Sequence, residues 1–143
     1  SKILFLGSIA SQKSREIGYP YSSPNNRFWN VMRILFNEDI TDYKQFLLNK
    51  HIALWDVIKS CDITKSSDSS IKNVVVNEVW NIVSNSNIKY IFTNGKKAYE
   101  LYNKYVYPKT KIKAISLSST SPANATKKLN DLVEEYSIIL NYL

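Results

Sequence analysis

The sequence is poor in the residues that build most cofactor and disulfide sites, with one cysteine, one histidine, three glycines and four prolines in 143 residues. The lone Cys61 excludes an intramolecular disulfide framework and any zinc or iron–sulfur centre made from this chain's own thiolates, so a reducing, cytoplasmic setting is expected. The lone His51 excludes a His-based metal cluster or a His pair, and it precedes an apolar run where a structural or exposed imidazole is the expected reading. Gly7, Gly18 and Gly95 have neither GxGxxG nor P-loop spacing, which argues against the common nucleotide-cofactor folds. No metal or cofactor is expected. So few Gly and Pro also exclude collagen-like or linker composition. No apolar stretch approaches the ~18–20 residues of a membrane span, so no membrane association is expected. Ile3 to Ala10, after Lys2, has the outline of a short signal peptide, but Gly7 and Ser8 interrupt it and it reads better as a buried strand. The chain opens on Ser1 rather than Met, so the numbering is expected to start after a removed segment.

Apolar residues are plentiful at 44%, and aromatics, ten of them Tyr, reach 13%. That is too many for a disordered chain, and the length suits one domain over residues 1–143 that buries about two-thirds of its unfolded surface. Nineteen Lys and Arg against twelve Asp and Glu give a net charge of +7. The surplus lies in the outer thirds. Its densest run is 96–113, where Lys96, Lys97, Lys104, Lys109, Lys111 and Lys113 face only Glu100. A basic face suits a polyanion such as nucleic acid, although lysine-rich surfaces are common on their own account.

Four apolar runs read as strands: Lys2 to Leu6, Ile52 to Trp55, Ile88 to Phe92 and Ile112 to Ile115. Helical spacing links Phe28, Met32, Leu35 and Phe36, then Val75, Val79, Ile82 and Val83, then Ala98, Leu101 and Tyr102, and finally Leu129, Leu132, Val133, Tyr136, Ile139 and Leu140. Strands alternating with helices predict an α/β fold, a three-layer α/β/α sandwich around a four-stranded parallel sheet. Residues 60–73 are the longest polar stretch and read as a loop. In such sheets ligands bind beyond the carboxyl ends of the strands, here Gly7 to Ser11, Trp55-Asp56, Thr93-Asn94-Gly95 and Ser116 to Pro122.

Two segments stand out. GYPYSSPNNRFW, residues 18–29, leads from turn residues into an aromatic helix start. Asn26 has an amide that both donates and accepts, and spacing does not separate a helix cap from a catalytic amide. Tyr21 is placed to offer a flat face, while Phe28 and Trp29 read as the core stripe of the helix. SLSSTSPAN, residues 116–124, offers hydroxyls and backbone N–H groups to phosphates, or else is an ordinary capping loop. The pairs Glu134-Glu135 and Glu38-Asp39 read as solvated helix surface rather than glycosidase-like carboxylates.

Taken in order, GSIASQKS at 7–14, GYPYSSPNNRFW at 18–29, IALWDVI at 52–58, SSDSSI at 66–71, TNGKKA at 93–98 and LSSTSPAN at 117–124 resemble the motifs of the uracil-DNA glycosylase superfamily. The nearest branch is the hypoxanthine (deoxyinosine) DNA glycosylases. The resemblance spans nearly the whole chain and implies a four-stranded parallel sheet with the base pocket and DNA groove at the strand carboxyl ends. It implies Asn26 as the catalytic residue, since Ile9 occupies the place of the water-activating Asn of mismatch-specific relatives. Tyr21 matches the aromatic that stacks on the flipped base, Asp56 a base-reading residue, and Ser14 a small polar pocket residue, with Ser8 and Ile9 completing the base-binding set. Ser119, Thr120, Ser121 and Pro122 match the loop that enters the duplex, and Lys96 and Lys97 are assigned to DNA contact. Leu117 stands where uracil-specific relatives have a His. Ala10 and Ser118 replace prolines, Ser23 a frequent His, and Ile63 and Lys65 an Arg and a Gly upstream of Asp68.

The expected function is monofunctional hydrolysis of the N-glycosidic bond of a deaminated base in DNA by base flipping, with hypoxanthine first and uracil second. None of the positions read as catalytic is a Lys, so no lyase step is expected. The expected partner is DNA containing a deaminated base, bound by a monomer. Two other readings stay open at this point: a weak or inactive member that binds damaged or single-stranded DNA, and a small-molecule α/β domain with a fortuitous basic surface.

Overall fold

The first apolar run divides its side chains between two cores. In β1 (Ile3–Gly7), Ile3 and Phe5 join one buried cluster, and Leu4 and Leu6 join another on the opposite face. That is the period-two alternation of a strand covered on both sides. The computed structural model describes residues 2–8, 21, 25–62 and 72–143, the side chains of 60–62 and 72–74 excepted.

Four strands form the parallel sheet, in the order β2 (Ile52–Asp56), β1, β5 (Tyr90–Asn94), β6 (Ala114–Leu117). One face carries α1 (Phe28–Phe36), α2 (Tyr43–Lys50), α6 (Leu129–Tyr136) and the 3-10 turn Ser137–Asn141. Phe5, Phe28, Phe92 and Tyr136 fill this core, with Phe5 stacked on Phe92 at 5.4 Å and edge-on to Phe28 at 5.6 Å. The other face carries α3 (Val79–Ser84), α4 (Lys96–Tyr105) and α5 (Tyr107–Thr110), packed through Val79, Leu101, Tyr102 and Val106. The three-layer α/β/α architecture is the one expected.

Details differ from the sequence reading. β5 and β6 begin at Tyr90 and Ala114, inside the starts at Ile88 and Ile112, although Ile88 is still buried. Val75 is not helical. It lies in β4 (Lys72–Val76), 51% exposed, and α3 begins only at Val79. The polar stretch 60–73 is not loop throughout: β3 (Ile58–Asp62) takes up its first three residues and β4 its last two, and the two strands pair antiparallel with register shifts at Ser60. Helix α2 buries only Phe46, so it has no apolar stripe to read, and its one local signal is Asp42, whose carboxylate caps it by accepting from the Gln45 N–H at 3.0 Å.

Gly95, between β5 and α4, has φ of +100°, and a Cβ there would lie 3.2 Å from Ser119 Cβ. Gly95→Ala is expected to cost about 1–2 kcal/mol from left-handed backbone strain alone. A thermal melt should show this as a fall in Tm of roughly 3–8 °C, and an unchanged Tm would mean that the junction relaxes.

Candidate active site at the strand carboxyl ends

β1 and β2 end in register, Gly7 beside Asp56. A Cβ on Gly7 would stand 2.7 Å from Asp56 Oδ1 and 3.1 Å from the Tyr21 hydroxyl, so only glycine lets the carboxylate and the phenol close over the strand end. The exit of β2 is clamped from behind by buried Asn77. Its Nδ2 donates to the Asp56 carbonyl and its N–H to the Val57 carbonyl, both at 2.8 Å. Sequence reasoning missed Asn77, because its partners lie some twenty positions away.

Tyr21 has φ of +59°. The other non-glycine residues with positive φ among those described, Asn37, His51 and Lys111, each close a helix in a left-handed cap. Tyr21 instead sits at the end of β1, where its positive-φ backbone is accompanied by packing of the ring on Phe28 and of the hydroxyl over Gly7. Its ring stacks on Phe28 at 4.5 Å. Its hydroxyl is buried and has no hydrogen-bond partner among the described residues. Burial first, then the Asp56 carboxylate, push the phenol's pKa well above its ordinary value, against a smaller opposing pull from the Asn94 side chain. The group therefore stays protonated at any physiological pH.

Asn26 precedes α1, and Asn94 ends β5. Asn26 Oδ1 accepts from the Phe28 N–H at 2.9 Å and from Thr120 Oγ1 at 2.8 Å. Asn94 Oδ1 accepts from the Thr120 N–H, and its Nδ2 donates to Thr120 Oγ1, both at 3.0 Å. Asn26 is thus a cap for the first N–H of α1 and also a member of a polar network below the site.

The 118–127 loop is held from two sides. Arg27 spreads its guanidinium over the carbonyls of Thr120 at 3.4 Å, Ser121 at 2.8 Å, Asn124 at 3.0 Å and also Lys127, while its own N–H donates to the Thr120 carbonyl at 3.0 Å. Glu135 of α6 accepts from the Ser118 N–H and from Ser118 Oγ at 2.8 Å, and Tyr136 Oη donates to the Ser118 carbonyl at 2.6 Å. This corrects the reading of Glu134-Glu135 as solvated surface. Glu134 is exposed, but Glu135 is half-buried and anchors the loop. Ser118 can serve here because, unlike proline, it has an N–H.

Several expected site residues meet at these strand ends: Tyr21, Asp56 and Asn26, with Ser8 half-buried at the exit of β1 and its carbonyl accepting from the Ile58 N–H at 2.9 Å. Ile9 and Ser14 lie outside the described residues, as do Ala10, Ser23, Ile63, Lys65 and Asp68. Ser119 and Ser121 are half-buried and Pro122 is exposed. Thr120 departs from the DNA contact expected of it, since it is 0% exposed and its polar groups bond inward. Leu117, where uracil-specific relatives have a His, is buried in the core. Phe28 and Trp29 are core residues, as read.

Lys96, exposed, and Lys97, half-buried, open α4 directly after Gly95, with no acid in that first turn. Cations at the positive end of a helix are the reverse of what helix stability favours, and the placement suits an anion. The run 96–113 is not one face. α4 carries the chain back toward the start of β6, so Lys104, Lys109, Lys111 and Lys113 lie at the far end of the sheet, where Lys109 sits 4.9 Å over the Trp80 ring. Also at that end, Lys2, His51, Asn87 and Lys89 line an open depression of about 320 Å³. It lacks the aromatic and buried polar groups found at the carboxyl ends, which therefore hold the candidate site. His51 is an exposed helix cap there, as the sequence reading expected. Among the described residues no group of three His, Cys, Asp or Glu could hold a metal ion, and no helix is long and apolar enough to cross a membrane.

Comparison with known proteins agrees with this fold. The sequence profile of the Uracil DNA glycosylase superfamily matches residues 1–141. A hypoxanthine DNA glycosylase of Methanosarcina barkeri (strain Fusaro / DSM 804) is 31% identical over 133 residues, which is 87% of this chain and 81% of the relative. A protein of the same name from Methanosarcina acetivorans is 32% identical over 106 residues, 70% of this chain and 67% of that one. The solution NMR structure of a candidate uracil DNA glycosylase from Methanosarcina acetivorans superposes with a TM-score of 0.81 at 28% identity, covering 99% of this chain and 91% of the other. With the family profile matched over residues 1–141 and the fold shared, this chain belongs to the uracil DNA glycosylase superfamily.

Proposed function

We propose that this DNA glycosylase excises a deaminated base, hypoxanthine first, from DNA by hydrolysis of the N-glycosidic bond. The observation that carries the reading is the convergence of Tyr21, Asp56 and Asn26 at adjoining strand ends, beside a loop held from beneath. Relatives named hypoxanthine DNA glycosylase support the choice of base.

The duplex backbone is met by Lys96, Lys97 and the exposed side of the 119–122 loop, with an affinity that falls as salt rises. The target nucleotide leaves the stack, at a cost of a few kcal/mol that is least for a mispaired base. Phe28 already covers one face of the Tyr21 ring, so the base stacks on the other, a contact worth ~1–3 kcal/mol. Asp56 accepts from a base N–H. The C1′–N9 bond breaks with its electron pair going to the purine, water adds to C1′ of the oxocarbenium-like sugar, and the water's proton passes to the base or to solvent. The protein's contribution is to stabilise the charge that develops on the departing base.

The test incubates excess protein with duplexes containing deoxyinosine, deoxyuridine or deoxyxanthosine, then cleaves abasic sites with alkali. Strand scission is expected from deoxyinosine. Salt-sensitive DNA binding without scission from any substrate would replace the enzyme by a DNA-binding member of the superfamily.

A further inference from the structure

We propose that Asn26 acts on the departing base as a hydrogen-bond donor through Nδ2, and that Thr120, itself held by Asn94, is the positioning residue that fixes the amide in that orientation. This rests on the glycosylase reading above, and it goes further by assigning a direction to each hydrogen bond.

The directions follow from two backbone N–H groups, which can only donate. The Thr120 N–H points at the Asn94 side chain at 3.0 Å, so the atom facing it is Oδ1 and the remaining Nδ2 donates to Thr120 Oγ1. Thr120 Oγ1 accepts there, and its one proton goes to its other neighbour, Asn26, at 2.8 Å. The Phe28 N–H independently requires that the Asn26 atom at 2.9 Å be Oδ1. Both lone pairs of that oxygen are now used, and nothing of Asn26 is left to accept a proton from water. What remains is Nδ2, with two N–H donors and no acceptor among the described residues. A carboxamide fixed this way favours a base ring nitrogen or oxygen gaining negative charge as the glycosidic bond breaks. Thr120 and Asn94 are both buried: Thr120 acts through Asn26, and Asn94 holds Thr120 and also faces the Tyr21 hydroxyl.

Three isosteric changes test this by single-turnover base release and by DNA binding. Asn26→Asp keeps the acceptor toward Thr120 and Phe28 but offers an acceptor where the donor was. Its rate at pH 7.5 should fall at least 100-fold, matching Asn26→Ala, and should climb as pH drops toward 5 and the carboxyl gains a proton to donate. A rate within tenfold of the parent, or one that declines with falling pH, would overturn the donor role. Thr120→Val should slow release about tenfold with DNA affinity held within twofold, and Thr120→Ser should restore it. Equal loss in both, or none in Thr120→Val, would overturn the positioning role. Asn94→Asp should be at least as damaging as Thr120→Val, because a carboxylate draws the Thr120 proton to itself and leaves Oγ1 and Asn26 Oδ1 facing each other as two acceptors. Parental rates there would also overturn it.

A readout independent of catalysis separates the two proposals. In the NMR spectrum of the unliganded protein the Thr120 hydroxyl proton should exchange slowly and show cross-relaxation with the Phe28 amide, and Asn94→Asp should abolish both. Its absence from the parent overturns the network. An inert parent with the resonance in place overturns the glycosylase reading and the donor role, and leaves the network standing.

Discussion

Gly7→Ala is expected to abolish base release while leaving the fold intact. The added methyl would sit 2.7 Å from Asp56 Oδ1, closer than real carbon–oxygen contacts allow, and 3.1 Å from the Tyr21 hydroxyl. Asp56 has a short side chain on a strand paired to Gly7 itself, and Tyr21 is pinned against Phe28, so the carboxylate or the ring has to move by an ångström or so. Displacement of that size at a reacting centre costs on the order of 100-fold in rate. The strand does not suffer, because alanine is easier to order in a strand than glycine by roughly 0.5–1 kcal/mol. Single-turnover release should therefore drop at least 100-fold while Tm stays within a few degrees of the parent. Parental activity would show that neither group contacts the base.

The largest loss of stability is expected from Arg27→Met. The side chain keeps its apolar length, but the carbonyls of Thr120, Ser121, Asn124 and Lys127 lose their shared charged donor. Hydrogen bonds to charged groups are worth ~1.5–3 kcal/mol each, and partial access of water to the loop reduces the sum to about 3 kcal/mol. That is a large share of the ~5–15 kcal/mol that holds an ordinary domain together. Denaturant titration should show it as a lower midpoint with little change in slope. Arg27→Lys should recover less than half, since an ammonium cannot span four carbonyls as the guanidinium fork does. DNA binding should weaken in parallel, because the loop presents Pro122 and its neighbours. A stability change under 1 kcal/mol for Arg27→Met would show that Glu135, Tyr136 and Asn94 hold the loop without it.

Legibility in the sequence followed the range of the interactions. KILFL and the run from Ile88 to Phe92 show their strand nature locally, because burial on both faces makes a strand largely apolar. α1 and α6 were readable as apolar stripes. The β3–β4 hairpin was hidden: its pairing runs between Ile58 and Val76, across a polar stretch, and the exposed Val75 completes a false helical stripe with Val79. At the site, Asn26 and Tyr21 were found through a motif pattern, and Asp56 through its place at a strand end. Arg27, Asn77, Asn94 and Glu135 were missed as structural agents because their partners are remote; Arg27 and its loop carbonyls are more than ninety positions apart. Thr120 was assigned outward because hydroxyl runs near strand ends so often meet phosphate. Its inward role depends on two amides that no spacing rule connects.

The sheet order has a consequence for how the chain comes together in time. β1 precedes both of its partners in the chain and lies inside the sheet, its Ile3 in register with Ile52 on one side and Tyr90 on the other. An emerging KILFL segment has no pairing partner until β2 has followed, and its second edge stays open until β5 appears. Such distant parallel pairings close late and slowly. During synthesis, a short apolar strand is therefore the part of the described fold most in need of shielding, and its second edge stays open until residues 90–94 are delivered.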